Sequence, residues 1–269
     1  MLWLKPSMIF IEKYAKLAIL IGVLTTLCCN TSRAAALRIP LLSQYDYPPY
    51  LISETHGLNQ DLATYLSNAS QGRYQFELQT LPKRRLMLTI QRPNWNGIVP
   101  WVMPAWLQDT PRNRYHWSKV ILEDGDRVLS LPTRALEWQG PSSLYGLRFG
   151  GVAGHQYVTI APDIEAGKIQ RDDAPNMLSN LKKLAADRVD AIFIPELLYR
   201  YLTQQDPQFS KDYYVSKNWI TQERNQLRIM SGLDNKDLTD WLDLQVQHMK
   251  TDTEWQKLLR KYGLSSPHK

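Results

Sequence analysis

The chain has 269 residues, 43% of them hydrophobic, and a formal net charge of +6. A chain of this length can bury a core without disulfides, and its basic residues are scattered instead of gathered into a stripe, which argues against a nucleic-acid partner. Nine Trp and fourteen Tyr residues favour a protein that grips a small polar ligand, because an aromatic ring combines a flat apolar face with a polar tip.

The N-terminal segment, residues 1–36, is typical of a secretory signal peptide. Lys5, Lys13 and Lys16 precede an apolar run at 17–27. Ala34 and Ala36 are the small residues that signal peptidase requires. The run is shorter than the roughly 20 residues of a membrane-spanning helix. We therefore predict cleavage after Ala36 and a periplasmic protein, with a retained N-terminal anchor as the alternative.

Both cysteines, Cys28 and Cys29, fall at the end of this apolar run, so cleavage leaves a chain with no disulfide and no thiolate metal site. Lipidation of a cysteine here is an alternative, which the bulky Leu27 before Cys28 disfavours. Removing the four basic residues and one acidic residue of the leader from totals of 32 and 26 leaves 28 and 25, a balance of +3. Much of the formal charge therefore belongs to the leader.

The first elements after the leader suggest an α/β fold. Alternation predicts a strand over residues 37–43, and the sequence Tyr45-Asp46-Tyr47-Pro48-Pro49-Tyr50 ends it, because proline cannot continue a strand. The aromatic loop thus lies at the carboxyl end of a strand, where open α/β sheets bind ligands. The pattern then predicts a helix from Gly57 to about Ser70, a strand at 74–81, a helix from Pro82 to Ile90 and a strand at 96–101.

A polar turn follows, and then a second set of α/β elements. Glu123, Asp124 and Asp126 flank Gly125, and we interpret them as solvated turn residues. Strands are predicted at 127–131 and 146–152. Residues 153–157 are interpreted as a glycine turn and a helix start, whose free N–H groups can bind an anion.

The segment 171–196 carries the clearest strand, helix and strand pattern. We predict a helix over 174–186, capped by Asp172 or Asp173 with Pro175 in its first turn, and a buried strand over 189–194. The remaining elements are predicted as a helix at 195–203, strands at 212–216 and 226–230, and helices at 236–249 and 253–262, the last capped by Gly263.

Several of these segments resemble extracellular solute-binding protein family 3. The resemblance rests on the aromatic loop with Gly57, the segments LPKRRLMLTIQ and VDAIF, an Arg before the aromatic-Ser pair Trp117-Ser118, and the ending WQKLLRKYG. It implies a two-lobed type II periplasmic binding protein fold of the α/β class, each lobe a mixed, mostly parallel sheet flanked by helices and joined by two crossover hinge strands. The implied lobes are 37–126 with 216–269, and 127–215.

The resemblance also implies how a ligand is held. In amino-acid receptors of this family an Arg of the first lobe pairs with the ligand carboxylate, N–H groups at a helix start of the second lobe assist, and an acid after Val-Asp-Ala takes the ammonium. Arg112 is the implied Arg, with Arg114 as a competitor, and bidentate pairing suits a carboxylate. The implied ligand-binding residues are Tyr47, Tyr50, Trp101, Arg112, Gly154, His155 and Glu196. Core packing is the alternative for the aromatic residues, and a helix N-terminal acid is the alternative for Glu196.

The expected function is therefore that of a monomeric periplasmic receptor. It would capture an amino acid or similar carboxylate and deliver it to the permease of an ABC transporter, without cofactor or metal. A sensor that reports to a signalling partner is one alternative, and an enzyme resembling a dehydratase or transglycosylase is another. The five histidines show no ligand spacing and no hydrolase or phosphate-loop motif occurs, so we do not expect an enzyme.

Overall fold

The structure is a computed structural model that describes residues 35–265. The predicted leader, its cleavage and lipidation at Cys28 or Cys29 therefore lie almost entirely outside the described residues. In this range the strands are β1 (Leu37–Ser43), β2 (Tyr74–Thr80), β3 (Ile98–Val102), β4 (His116–Trp117), β5 (Leu122–Asp124), β6 (Asp126–Ser130), β7 (Arg148–Val152), β8 (Gln170–Ala174), β9 (Ala191–Pro195), β10 (Tyr214–Trp219) and β11 (Asn225–Ser231).

The helices of the same range separate these strands. They are α1 (Leu58–Ala69), α2 (Lys83–Ile90), α3 (Ala161–Glu165), α4 (Met177–Ala185), α5 (Glu196–Gln205), α6 (Phe209–Asp212), α7 (Lys236–Met249) and α8 (Thr253–Lys261). Short 3-10 turns occupy Pro104–Leu107, Pro132–Arg134 and Pro141–Leu144. None of the helices between residues 35 and 265 is both long enough and apolar enough to cross a membrane.

The first sheet has the strand order β2-β1-β3-β11-β4, with β5 paired to β11. Strand β1 is parallel to β2 and to β3, whereas β11 runs antiparallel to β3. Helices α1, α7 and α8 contribute to the core beside this sheet, because their apolar residues recur at helical spacing. In α7, for example, Leu238, Leu242 and Val246 are buried.

The second sheet has the order β10-β6-β9-β7-β8. Strands β7, β8 and β9 are parallel, and β6 and β10 run antiparallel to their neighbours. The chain leaves the first sheet at Asp124 and enters the second at Asp126, with Gly125 between them. It returns between Trp219 and Asn225. The lobe boundaries near 127 and 216 stay a prediction, since lobes are defined by movement.

Two expectations about helix starts were wrong. Helix α4 is capped by Asn176, whose side chain accepts a hydrogen bond from the Ser179 N–H at 2.8 Å, because Asp172 and Asp173 still belong to β8. No helix begins at 154–157 either; α3 starts at Ala161. Gly263 does follow α8 with a positive φ of 70°, as its place after the last helix predicts.

Candidate functional site

One edge of the first sheet collects several of the residues that were predicted to bind a ligand. Strands β1 and β3 are parallel and end there at Ser43 and Val102, while the antiparallel β11 begins there at Asn225. Ligands of open α/β sheets bind outside the carboxyl ends of the strands. The site is therefore built from the segments that follow β1 and β3 and from the start of β11.

Residues 44–50, which we call the tyrosine loop, follow β1. The rings of Tyr45 and Tyr50 stack with centroids 4.4 Å apart, and Tyr47 meets both edge-on at 5.8 and 5.7 Å. Tyr50 is only 1% exposed, whereas Tyr47 is half-buried and packs against buried residues of both sheets. Among the aromatic residues that were predicted to bind a ligand, Tyr47 is therefore the one that packs on both sheets.

Trp101 lies beneath the tyrosine loop, inside the core. Its side chain is 0% exposed and its indole Nε1 donates a hydrogen bond to Asn59 Oδ1 at 2.8 Å. Its carbonyl oxygen accepts a hydrogen bond from the Tyr45 hydroxyl at 3.1 Å. Its φ of 63° coincides with a register shift between β3 and β11, a bulge of the kind often found beside binding sites. In this conformation Trp101 and Tyr50 position the loop and do not line a surface.

The segment after β3 presents Arg112 on a loop that Asp109 organises. The buried Asp109 carboxylate accepts hydrogen bonds from the backbone N–H groups of residues 113–115 and from the Trp117 indole at 2.7 Å. Although burial opposes it, this set of donors lowers the pKa of Asp109. Arg112 is exposed at the turn, with a φ of 56°. Its backbone position is therefore fixed while its side chain is free to meet a ligand.

Arg112 lies close to a second arginine, Arg228, in β11. One Arg228 nitrogen donates to the carbonyl of Ser118 at 2.8 Å and another to the Gln226 side chain at 3.0 Å. Burial lowers the pKa of Arg228, and the charge of Arg112 lowers it further. Within residues 35–265 neither guanidinium forms an ion pair with an acid. Two cations that interact and have no acidic partner among residues 35–265 make a candidate site for an anion.

Arg114 faces elsewhere. Its guanidinium lies over the Tyr115 ring at 5.6 Å, and it lines a surface depression with Trp95 and Leu233. The structure thus gives different surroundings to the two arginines that the sequence left as competitors: the charge of Arg112 acts on Arg228, whereas Arg114 packs on Tyr115.

Three acidic side chains lie where the chain crosses between the sheets. Glu196 is buried, with one carboxylate oxygen bound to Arg127 and the other 2.7 Å from Arg200 Nε. Both oxygens are therefore neutralised within the protein, so in this conformation Glu196 offers no free acceptor to an ammonium.

Asp124 and Asp126 depart from the expectation that they are solvated turn residues. Asp124 is 7% exposed and its Oδ1 accepts hydrogen bonds from the N–H groups of Gly125 and Leu197 at 2.8 and 3.2 Å. Burial and the neighbouring Asp126 raise the pKa of Asp124 to about 8. Burial also raises the pKa of Asp126 to about 6. The turn is buried because the N-terminus of α5 packs on it, with the Glu196 N–H bonded to the Gly125 carbonyl at 2.9 Å.

Gly154 and His155 lie in an exposed turn after β7. Gly154 has a φ of 76°, and the His155 ring lies 4.6 Å from that of Tyr157. Although the residue is exposed, partial desolvation of its ring, followed by the charges of Lys83 and Arg171, lowers the pKa of His155. His155 is therefore neutral near pH 7, with one cation of α2 and one of β8 in its surroundings. The expected helix start is not present here, so its dipole does not assist an anion at Gly154.

Sequence reasoning did not single out Arg228, and it interpreted Asp126 only as a solvated turn residue. Arg228 interrupts the apolar pattern of the last strand, Gln226 to Met230, and a charge inside a strand is a signal that could have found it. Asp126 carries no such signal. The part of the chain that the structure describes holds no cluster of His, Cys, Asp or Glu suited to a metal ion.

The fold defined by these two sheets is that of type II periplasmic binding proteins. An ancestral arginine-binding protein bound to arginine superposes with a TM-score of 0.67 at 14% identity, over 85% of this chain and 99% of that one. An arginine-specific periplasmic binding protein of Salmonella typhimurium gives 0.65 at 15% identity, over 84% and 99%. An ancestral amino acid-binding protein described as a precursor of cyclohexadienyl dehydratase gives 0.65 at 15%, over 84% and 95%.

No family model and no curated protein matches the sequence. At 14–15% identity the structural matches establish the fold alone.

Proposed function

We propose that this protein is a solute-binding receptor that captures a small polar ligand with a carboxylate, such as an amino acid, between its two sheets. The observation that carries the proposal is the pair formed by Arg112 and Arg228, two neighbouring guanidinium groups with no acidic partner among residues 35–265. The pair lies at the ligand-binding edge of the first sheet, one residue along β3 from the bulge at Trp101. A carboxylate bound there would supply the missing counter-charge.

The two sheets would act as the lobes. We propose two lobes near the expected bounds, 37–126 with 216–269 and 127–215. Because β10 pairs with β6 as far as Trp219, the second crossover is proposed between Trp219 and Asn225 and the first at Gly125. Tyr47 packs against buried residues of both sheets, so it is placed to respond to their movement. Hinge closure around a ligand is the usual motion of such a fold.

The cellular setting follows from the fold and the leader. We propose a periplasmic monomer that presents its ligand to the permease of an ABC transporter. The signal-peptide pattern of residues 1–36 and the periplasmic binding proteins among the structural neighbours support this setting. Because neighbours bind arginine, L-arginine is the first ligand to test.

One observation favours a second candidate, an enzyme of the dehydratase type. Asp124 and Asp126 have pKa values of about 8 and 6, so near neutral pH one could donate and the other accept a proton. A structural neighbour is described as a precursor of cyclohexadienyl dehydratase. Incubating a bound ligand with the protein and following it by NMR separates the two: a receptor returns its ligand unchanged, whereas chemical conversion of the ligand would favour the enzyme.

A thermal-shift screen of amino acids, organic acids, peptides and sugars tests the receptor. A ligand at about 100 times its dissociation constant stabilises the folded state by about 2.7 kcal/mol. We expect carboxylates to raise Tm and neutral sugars to leave it unchanged. A protein that no carboxylate stabilises, or one that only sugars stabilise, would contradict the proposal.

Variants of the two arginines then locate the anion site. Arg112→Ala should weaken the best carboxylate ligand by about 2 to 5 kcal/mol, roughly 30-fold to several-thousand-fold, with little change in stability because the residue is exposed. Arg112→Lys should restore little, since an ammonium lacks the planar fork. Arg114→Ala is the matched control, predicted to change affinity far less. Equal losses at both positions would indicate only general positive potential.

A further inference from the structure

Asp126 is a carboxylate without a partner at the junction of the two sheets. Its backbone is fixed, because it pairs with Pro195 of β9 and its carbonyl accepts a hydrogen bond from the Ile220 N–H at 2.9 Å. Within residues 35–265 its side chain makes neither a hydrogen bond nor an ion pair, although it is partly buried. The fold thus fixes the backbone of Asp126, while the carboxylate has no hydrogen-bond or ion-pair partner among the residues that the structure describes.

The charged groups near Asp126 do not neutralise its carboxylate. Arg127 is bound to Glu196 and lies between the rings of Tyr199 and Trp219, at 5.1 and 4.9 Å. Arg127 also points to the opposite face of β6, because successive side chains of a strand alternate. The other nearby acid, Asp124, is satisfied by backbone N–H groups and supplies no positive charge. A partly buried carboxylate in such surroundings is costly unless a cation pairs with it.

Aromatic clusters of both sheets pack next to the crossover that carries Asp126. Asp126 lies on the same face of β6 as Val128, which packs in a cluster with Tyr157 and Phe193. On the other side, Leu122 of β5 packs in the same core cluster as Tyr47 and Tyr50 of the tyrosine loop. A carboxylate among aromatic faces suits an organic cation, which gains both the ion pair and contact with the rings.

The distance between Asp126 and the arginine pair limits the shape of a ligand that could contact both. Asp124 pairs with Asn225 at the start of β11, and Arg228 lies three residues further along that strand. Three residues of an extended strand span about 10 Å. Asp126 follows Asp124 by two residues, so the acid and Arg228 lie apart along this edge by a distance that a short, elongated molecule can bridge.

We infer that Asp126 binds the cationic end, an ammonium or guanidinium group, of a ligand whose carboxylate end lies at Arg112 and Arg228. This inference rests on the receptor function proposed above and narrows it to ligands that carry both charges, so that simple dicarboxylates and sugars are excluded. Asp126 is then the specificity-determining residue for the positive group.

Calorimetric titration with matched probes tests the inference. L-arginine and L-ornithine carry both charges, and glutarate carries carboxylates without a cation. We expect the wild-type protein to bind both amino acids and to bind glutarate at least about 30-fold more weakly. Asp126→Asn should lose about 30-fold or more in affinity for L-arginine while its affinity for glutarate is unchanged or improved, and Asp126→Glu should retain part of the affinity for L-arginine.

Glu123→Gln is the control variant, because Glu123 lies in the same crossover, is half-buried and loses the same charge. It should bind L-arginine as the wild type does. Binding of glutarate as tight as that of L-arginine, or equal losses in Glu123→Gln and Asp126→Asn, would overturn the inference while leaving the receptor in place. A wild-type protein that binds no carboxylate at all would overturn the receptor function itself.

Discussion

Two carboxylates beside the second sheet have opposite environments. Glu137 accepts four hydrogen bonds, from Tyr214 at 2.7 Å, Ser216 at 2.9 Å and the N–H groups of Lys217 and Asn218 at 3.1 and 2.8 Å. The side-chain carboxylate of Asp126 accepts no hydrogen bond from the residues that the structure describes. Burial would raise the pKa of Glu137, but the donors, Tyr214 foremost, lower it to about 2; at Asp126 burial is unopposed and raises the pKa to about 6.

The difference distinguishes an acid that stabilises the fold, Glu137, from one that is free to bind a ligand, Asp126. Glu137 is saturated by protein donors, so it fixes the segment before Trp138 to β10 and has no capacity for another group. Asp126 is held by its backbone and keeps its full hydrogen-bonding capacity. Burial and sign of charge are similar at the two sites; the number of donors separates them.

Removing Glu137 should produce the largest loss of stability. Glu137→Ala leaves several donors of β10 without an acceptor, and we expect the free energy of unfolding at pH 7 to fall by about 3 kcal/mol, with ligand affinity unchanged. Because the folded pKa is depressed, this contribution is present above about pH 4.5 and is lost as the pH falls towards 2. Urea unfolding across that range measures it. Glu165→Ala, at an exposed position of α3, should change stability by less than about 0.5 kcal/mol.

Asp124 should show the opposite dependence on pH. Its folded pKa is raised to about 8, so its contribution to stability is complete below its ordinary value of 3.8 and is lost as the pH rises towards 8. Asp124→Asn cannot ionise and keeps an acceptor for the Gly125 and Leu197 N–H groups. We expect this variant to gain about 1 to 3 kcal/mol relative to the wild type between pH 5 and pH 9. A difference that is flat across that range would show that Asp124 ionises normally.

Binding of a cationic ligand should weaken in acid. Protonation of Asp126 below about pH 6 removes its charge, so affinity for L-arginine should fall by up to about tenfold per pH unit. The titratable groups near Asp126 are Asp124 of β5, Glu196 of α5, the tyrosine loop and Tyr157, while Arg127 lies on the opposite face of β6. Asp124 is already protonated near pH 6, so it is not expected to add a transition there. Calorimetry of the wild type and Asp126→Asn between pH 5 and 7.5 checks this. A slope of the same size in the variant would assign the titration to another group.

The sequence predicted the elements better than the site. The bounds of β1, Leu37–Ser43, were predicted from an apolar run that ends before the prolines of the next loop, and those of α7, Lys236–Met249, from helical spacing of apolar residues. The burial of Asp124 could not be predicted, since the N-terminus of α5, about seventy residues later in the chain, packs on that turn. That Arg112 and Arg228 come close together could not be predicted either, because it depends on how distant segments of the chain meet at the first sheet.

Arg112 and Arg228 support the central claim, that the protein binds a carboxylate between two guanidinium groups, and a double-mutant cycle tests it most directly. The affinity for L-arginine is measured by calorimetry in the wild type, Arg112→Ala, Arg228→Ala and the double variant. We predict that each single substitution costs at least about tenfold and that the double variant loses clearly less than the product of the two, because both side chains hold one group. Unchanged affinity in both single variants, or losses that multiply fully, would contradict a shared carboxylate site.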